Sequence, residues 1–170
     1  MRRYFGSLRA RPIDDATSEW VAATLESGEQ RVWVAMSRAD RAEGVAVARA
    51  FEAGRPAGAA AASEWRAAAL LHDAGKQCSG YGTFGRVVAT IVVALAGKSR
   101  VRGWVGAGGV RARFGRYAAH DDLGADLLQA AGARPVVVAW AGAHHRPDRW
   151  ASTGMPENVC RALAAADGEV

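Results

Sequence analysis

A histidine and an aspartate stand side by side at the end of a strongly apolar helical segment. Residues 67–71 read Ala-Ala-Ala-Leu-Leu, and His72 and Asp73 follow directly. Burying an unpaired carboxylate there costs far more free energy than the small side chains of the segment recover. A metal ion removes this cost, because it binds a neutral imidazole nitrogen and a carboxylate oxygen. The pair therefore predicts a metal site whose other ligands come from elsewhere in the chain.

Further ligand-type side chains lie on the apolar faces of other predicted helices. His120 is followed by apolar residues or glycine at offsets of three, four, seven and eight, which places it on the buried stripe of its helix. His144, Asp167 and Glu43 also align with apolar residues at helical spacing. Each alone is more typical of a hydrogen-bonded core residue or a solvated helix end. Several such residues on different helices favour a convergent metal site, since buried groups of this kind need a partner.

Length and composition are typical of one globular domain. The chain has 170 residues, of which 50% are hydrophobic. No segment reaches the roughly 20 apolar residues that a membrane span needs, and residues 87–96 are predicted to form a buried helix. The basic first residues precede no apolar signal core. Cys78 and Cys160 stand alone without CxxC spacing. These features predict a cytoplasmic protein with reduced thiols and no membrane span.

The charge balance favours small anionic partners. The formal net charge is +5, which suits nucleotides or other phosphorylated compounds. The arginines are scattered along the chain, and no basic stripe interleaved with aromatic residues is present. Specific nucleic-acid binding is therefore not indicated.

The apolar spacing is helical along nearly the whole chain and predicts an all-α fold. Residues 87–93 are rich in β-branched side chains, but the absence of a partner strand elsewhere favours a helix there. Residues 1–29 are predicted to be an arm packed on a single domain that spans residues 30–170. Six to seven helices are expected in the compact domain, and the pattern places helices at about 15–27, 30–53, 63–74, 84–97, 116–131, 135–146 and 156–167.

Taken together, these motifs resemble those of the HD superfamily of metal-dependent phosphohydrolases. The resemblance extends from about residue 30 to the C-terminus and is greatest to small bacterial HD proteins, of the actinobacterial type. It implies a compact, all-helical HD-type domain and the hydrolysis of a phosphate ester. The residues that carry it are His72-Asp73 with Gly75-Lys76, then His120, His144-His145 and Asp167.

The resemblance implies a metal-binding role for five of these residues. His72, Asp73 and Asp167 would ligate a first metal ion, and Asp73 would also bridge to a second. His120 and His144 would hold that second ion. Mixed imidazole and carboxylate ligation suits one or two divalent ions of Mn, Fe, Co, Ni or Zn.

Other positions are implied to act on the substrate or to modify the metal site. Lys76 would contact a substrate phosphate and, with Asp73, carry the catalysis. His145 and Arg146 are candidates for substrate-contacting or supporting groups. The family expects an early histidine as its first ligand, but no histidine precedes His72, and Glu43 stands at the equivalent place. A carboxylate can also ligate such a metal.

Three functions follow from this pattern. The first is hydrolysis of a nucleotide or another small phosphorylated compound by a mono- or binuclear metal site. The second is a catalytically weak or inactive module that binds metal or nucleotide, which the replacement at Glu43 favours. The third is an oxidative di-iron enzyme, since some HD relatives activate oxygen.

A glycine motif at residues 80–85 fits the GxGxxG pattern of dinucleotide-binding turns. It follows a predicted helix instead of a strand, and no acidic residue lies about 20 positions further on. We therefore interpret it as a flexible turn. Its glycines and Arg86 stand at the start of the next helix, where a phosphate group can bind, so Arg86 is a further candidate substrate residue.

Overall fold

The computed structural model describes residues 13–56 and 63–168. These residues form ten α-helices, two 3₁₀ helices and no strand, which confirms the predicted all-α class. The first twelve residues of the predicted N-terminal arm lie outside the described residues. The helices are α1 Asp15–Thr24, α2 Ser27–Ala35, α3 Arg38–Ala53, α4 Ser63–Leu71, α5 Thr83–Ala96, α6 Lys98–Arg102, α7 Gly109–Ala118, α8 His120–Ala130, α9 Pro135–Ala143 and α10 Glu157–Asp167, with 3₁₀ helices at Ala74–Ser79 and Pro147–Thr153.

The described residues contain more helices than the six to seven predicted, because two predicted helices are interrupted and because α6 and most of α7 lie where no helix was predicted. The helix predicted at 30–53 divides into α2 and α3, and the Ser37 hydroxyl accepts a hydrogen bond from the Asp40 amide as the N-cap of α3. The helix predicted at 116–131 divides at Ala119, so His120 begins α8. Apolar periodicity continues across such short breaks and therefore does not reveal them.

Helix α4 lies at the centre of the core and ends at the metal-type residues. The side chains of residues 67–71 are all fully buried, as expected for a helix that is apolar on every side. It packs against α3 and α9. Val21 of α1 and Val32 of α2 belong to the same hydrophobic core. Helix α2 also crosses residue 29, where the predicted arm ends, and the division into arm and domain stays a prediction.

Gly75 allows the first 3₁₀ helix to pack directly on α8. A methyl group at this position would lie 1.8 Å from the carbonyl oxygen of His120 and 2.6 Å from the amide nitrogen of Gly124. Both atoms belong to backbone and cannot rotate away. The contact holds the segment that carries Asp73 and Lys76 against the start of α8, where His120 lies.

We expect Gly75→Ala to lower the free energy of unfolding by at least about 2 kcal/mol, because the overlap forces the 3₁₀ helix away from α8. Chemical denaturation followed by circular dichroism measures this change. Gly82→Ala is the matched control, since a methyl group there meets nothing within 4 Å. Equal stability of the two variants would contradict the packing role of Gly75.

Helix α5 forms as predicted, but the prediction that it is buried is wrong. Its side chains Phe84, Ile91 and Leu95 are 81%, 53% and 84% exposed. The side of α5 that faces the protein carries Ala89, which is fully buried, and Thr90, whose hydroxyl lies 2.9 Å from the Tyr117 hydroxyl. The larger apolar side chains are therefore turned outward.

No single helix among the described residues is both long and apolar enough to cross a membrane. Residues 63–79 and 84–96 satisfy the length and composition only as a pair, and that pair is bent by 90°.

Candidate metal centre

The ends of four helices bring the ligand-type residues together around Asp73. Helix α4 leads into His72 and Asp73, and α8 begins with His120. His144 and His145 follow the last residue of α9, and Asp167 is the last residue of α10. Asp73, His72, His120 and His144 are all buried. The inward orientation predicted for these four residues is thus observed.

One oxygen of the Asp73 carboxylate faces His72. The Nε2 atom of His72 lies 3.3 Å from Asp73 Oδ2 and 3.4 Å from Asp167 Oδ1. These three side chains surround one side of the cluster. They are the residues that the resemblance implies as ligands of a first ion.

The other oxygen of Asp73 faces His120 and His144, and His145 lies beside them. Asp73 Oδ1 lies 3.4 Å from His120 Nε2 and 3.9 Å from His144 Nε2. The Nε2 atoms of His120 and His145 are 3.2 Å apart. Two nitrogens bound to one tetrahedral ion are expected about 3.3 Å apart, given metal–nitrogen bonds of about 2.0–2.1 Å. One atom from each of the four residues lies within 4.8 Å of the others.

Three of the histidine rings are oriented by the backbone in the same way. In each, the Nδ1 atom bonds to the carbonyl oxygen three residues earlier, which can only accept a hydrogen bond. Nδ1 must therefore carry a proton, and Nε2 is the atom directed at the cluster. Such bonds orient histidine ligands in metal sites. The pairs are His72 with Ala69 at 2.8 Å, His120 with Tyr117 at 2.9 Å and His144 with Ala141 at 2.9 Å.

Three polar atoms of this cluster are buried and lack a hydrogen-bond partner within the described residues. They are His72 Nε2, Asp73 Oδ1 and His144 Nε2. A buried polar atom without a partner costs free energy, and native structures contain few of them. A cation between the rings and the carboxylate would satisfy these atoms. The buried cluster of Asp73, His120, His144 and His145 can therefore hold a metal ion.

The charges around Asp73 keep it ionised. Burial favours its neutral form, but the Lys76 ammonium and His72 hold the pKa of Asp73 well below its usual value. Burial and the neighbouring His145 hold the pKa of His144 well below the usual value for histidine. An ionised carboxylate and a neutral imidazole are the forms that bind metal ions.

His72 differs from His144 in its electrostatic surroundings. Burial lowers its pKa, but the carboxylates of Asp73 and Asp167 outweigh this effect and raise the pKa well above the usual value. A proton and a metal ion therefore compete for His72 Nε2. Binding of an ion on this side of the cluster would release a proton.

Lys76 and Glu43 lie beside the cluster. The Lys76 ammonium contacts Asp73 Oδ2 and lies 3.8 Å from Glu43 Oε2. Burial lowers the pKa of Lys76, but these two carboxylates outweigh it and raise the pKa. The Glu43 side chain is 48% exposed, so it faces solvent at the edge of the site. Its role as a metal ligand stays a prediction.

His145 was predicted to contact substrate or to support the metal ligands, but it belongs to the cluster of possible ligands itself. The predicted helix 135–146 would direct adjacent side chains about 100° apart. Helix α9 instead ends at Ala143, and the rings of His144 and His145 approach to 3.9 Å between centroids. The sequence carries one signal of this ending, because Pro147 disfavours helical backbone at the residue before it.

The two arginines predicted to contact substrate are held by carboxylates. Arg146 contacts Asp122 and lies 3.5 Å from Oδ2 of the buried Asp121. Arg86 contacts the buried Asp40. A substrate phosphate would have to compete with these carboxylates for either guanidinium. The substrate roles of Arg146 and Arg86 stay predictions.

A cavity of about 500 Å³ opens beside the histidines. Its lining includes His144 and His145, the apolar side chains of Trp150 and Met155, and Arg161 of α10. Trp150 packs against Trp140, with ring centroids 6.1 Å apart. The wall of the cavity is thus packed against α9, the helix that His144 and His145 follow.

Comparison of the chain with models of known protein families, with curated proteins and with solved structures gives no match.

Proposed function

We propose that the protein is a metal-dependent phosphohydrolase or phosphodiesterase of the HD type, acting on a nucleotide or another small phosphorylated compound. The observation that carries the proposal is the buried cluster in which Asp73 lies among four histidines. The order of these residues along the chain supports the same assignment through the resemblance to the HD superfamily.

The donor set suits one or two divalent ions of Mn, Fe, Co, Ni or Zn. His72, Asp167 and one oxygen of Asp73 would hold one ion. His120, His144, His145 and the other oxygen of Asp73 would hold a second. When bound, such ions polarise phosphate oxygens and lower the pKa of a coordinated water.

Lys76 supplies a positive charge beside the metal ligands. Its raised pKa keeps the side chain an ammonium at neutral pH, and it sits on the Asp73 oxygen that faces His72. A phosphoryl group bound here would lie within reach of this charge. Lys76 would then stabilise the negative charge that develops as the ester bond breaks.

The cavity next to the histidines supports a small-molecule substrate. Its volume of about 500 Å³ lies within the usual range for small-ligand sites. With the phosphate at the metal ligands, the organic part of the substrate would lie against Trp150 and Met155. A flat and partly apolar group, such as the base of a nucleotide, suits this wall.

An activity panel tests the proposal. Protein reconstituted with each candidate metal is assayed on nucleotides, on cyclic dinucleotides and on a generic phosphodiester. We expect hydrolysis that disappears on chelation, returns when the metal is added back, and is lost in Asp73→Ala. The absence of any activity that depends on Asp73 would contradict the proposal.

A binding or regulatory module is the second candidate, and the position of Glu43 favours it. This carboxylate lies at the exposed edge of the site, near Lys76, where the family expects a histidine as the first metal ligand. Metal analysis and ligand binding separate the two functions. Less than about one ion per chain after reconstitution, or nucleotide binding without turnover, would favour the regulatory module.

A further inference from the structure

Helix α5 presents an apolar face that nothing in the described residues covers. Within the described part of the chain, five of the eight large apolar side chains that are exposed belong to this helix. Together they expose on the order of 500 Å² of apolar surface, which is near the upper limit for a monomeric protein. They are Phe84, Val87, Val88, Ile91 and Leu95, and we call them the α5 face.

The α5 face is anchored so that it cannot turn inward. On the opposite side of the helix, Arg86 contacts the buried Asp40 and Thr90 contacts Tyr117. Ala89 is fully buried between them. Rotating α5 to bury its large apolar side chains would break the Arg86 ion pair and leave the Asp40 carboxylate buried without a cation.

The spacing along the α5 face is that of a helix–helix seam. Phe84, Val88, Ile91 and Leu95 are separated by four, three and four residues, which is the a/d pattern of a coiled coil. The order four-three-four is the same in both directions along the helix. Two antiparallel copies therefore match, with Phe84 opposite Leu95 and Val88 opposite Ile91.

We propose that two copies of this chain associate through an antiparallel contact between their α5 faces. Such a contact is isologous, the form that most homodimers take. Complete coverage of both faces would bury about 1,000 Å², the area that a biological interface is expected to reach. The antiparallel arrangement also places the negative end of one helix dipole beside the positive end of the other.

The charges within α5 itself favour a second copy over a membrane surface. Helices that lie on membranes carry several lysines or arginines on their polar face. Arg86 is the only charged residue within α5, and Asp40 holds it. Beyond the helix, Lys98 lies 3.7 Å from Asp121 Oδ2, whereas Arg100 of α6 and Arg111 of α7 are exposed.

Sedimentation velocity at micromolar concentrations tests the proposal. We expect the protein to be a dimer, and Ile91→Glu to weaken the dimer by at least about 100-fold, because it places two carboxylates at the centre of the seam. Val34→Glu is the matched control, since Val34 is 70% exposed on α2, and it should remain dimeric. Circular dichroism verifies that both variants fold.

A charge-pair variant tests the register. Phe84→Glu and Leu95→Lys should each weaken the dimer, whereas the double variant should recover part of it because the new carboxylate lies opposite the new ammonium in both halves. A monomeric wild-type protein, or a dimer that Ile91→Glu leaves intact, would overturn the proposal. A monomer that binds phosphatidylserine vesicles through the α5 face would assign the face to a membrane instead. These outcomes do not depend on hydrolytic activity.

Discussion

Asp73→Asn is expected to remove metal binding from both sides of the cluster. The two oxygens of Asp73 face different groups, one toward His72 and the other toward His120 and His144. Loss of the carboxylate charge should lower metal affinity by on the order of 100-fold or more. Elemental analysis and calorimetric titration after reconstitution measure this loss.

Two further variants make this prediction specific. Asp167→Asn should affect only the side that contains His72, because Asp167 Oδ1 lies 3.4 Å from His72 Nε2. Asp148→Asn makes the same chemical change at an exposed position and should bind metal normally. Wild-type metal content in folded Asp73→Asn would exclude Asp73 as the shared ligand.

Glu29→Gln is expected to produce the largest loss of stability. Glu29 is fully buried, and its carboxylate accepts hydrogen bonds from Arg134 Nη2 at 2.6 Å and from Arg134 Nε at 2.9 Å. The backbone amides of Glu26 and Arg134 also donate to it. Removing one partner of a buried pair typically costs about 3–5 kcal/mol, and the remaining carboxylate near Arg134, that of Glu26 at 3.7 Å, is 58% exposed and replaces only part of the lost interaction. Equilibrium denaturation at neutral pH measures the difference.

The effect of Glu29 should depend on pH in a defined direction. Burial raises the pKa of Glu29, but the Arg134 guanidinium and the backbone amides outweigh it and lower the pKa below 4.5. The ionised Glu29 carboxylate therefore contributes its full stabilisation at a pH above its pKa in the unfolded chain. This stabilisation is lost as the pH falls through its lower pKa in the folded protein. The difference between Glu29→Gln and wild type should shrink in acid.

A matched control separates this buried pair from an exposed one. Glu157 pairs with Arg161 at 2.6 Å, but the two side chains are 71% and 65% exposed. Glu157→Gln should change the free energy of unfolding by less than about 1 kcal/mol. Equal losses in the two variants would show that burial of the Glu29 pair is unimportant.

Local patterns were enough to predict the fold class and the inward face of several helices. The 3.6-residue periodicity depends on the chain alone, so all-α structure and the burial of His120 and His144 could be inferred from it. The burial of α5 could not. An apolar sequence predicts a helix, but which neighbour covers each face depends on the packing of the whole chain.

Most residues of the candidate site could be predicted from the sequence, but their arrangement in space could not. His72-Asp73 at the end of an apolar helix indicated buried ligands, since such groups require a partner. The place of His145 depends on the end of α9 at Ala143, a change of backbone direction that helical periodicity does not report. The pairing of Arg146 with Asp121 and Asp122 likewise joins segments that are distant in sequence.

Helical structure and the inward orientation of His72, Asp73, His120 and His144 could be predicted from the amino-acid sequence alone. Both properties follow from the spacing of side chains along single helices. The packing of the helices against one another sets the two oxygens of Asp73 toward different histidines, one toward His72 and the other toward His120 and His144, and it turns the apolar side of α5 outward. Distances between helices are set by close contacts such as Gly75 against the His120 carbonyl, and those contacts exist only after the helices have packed.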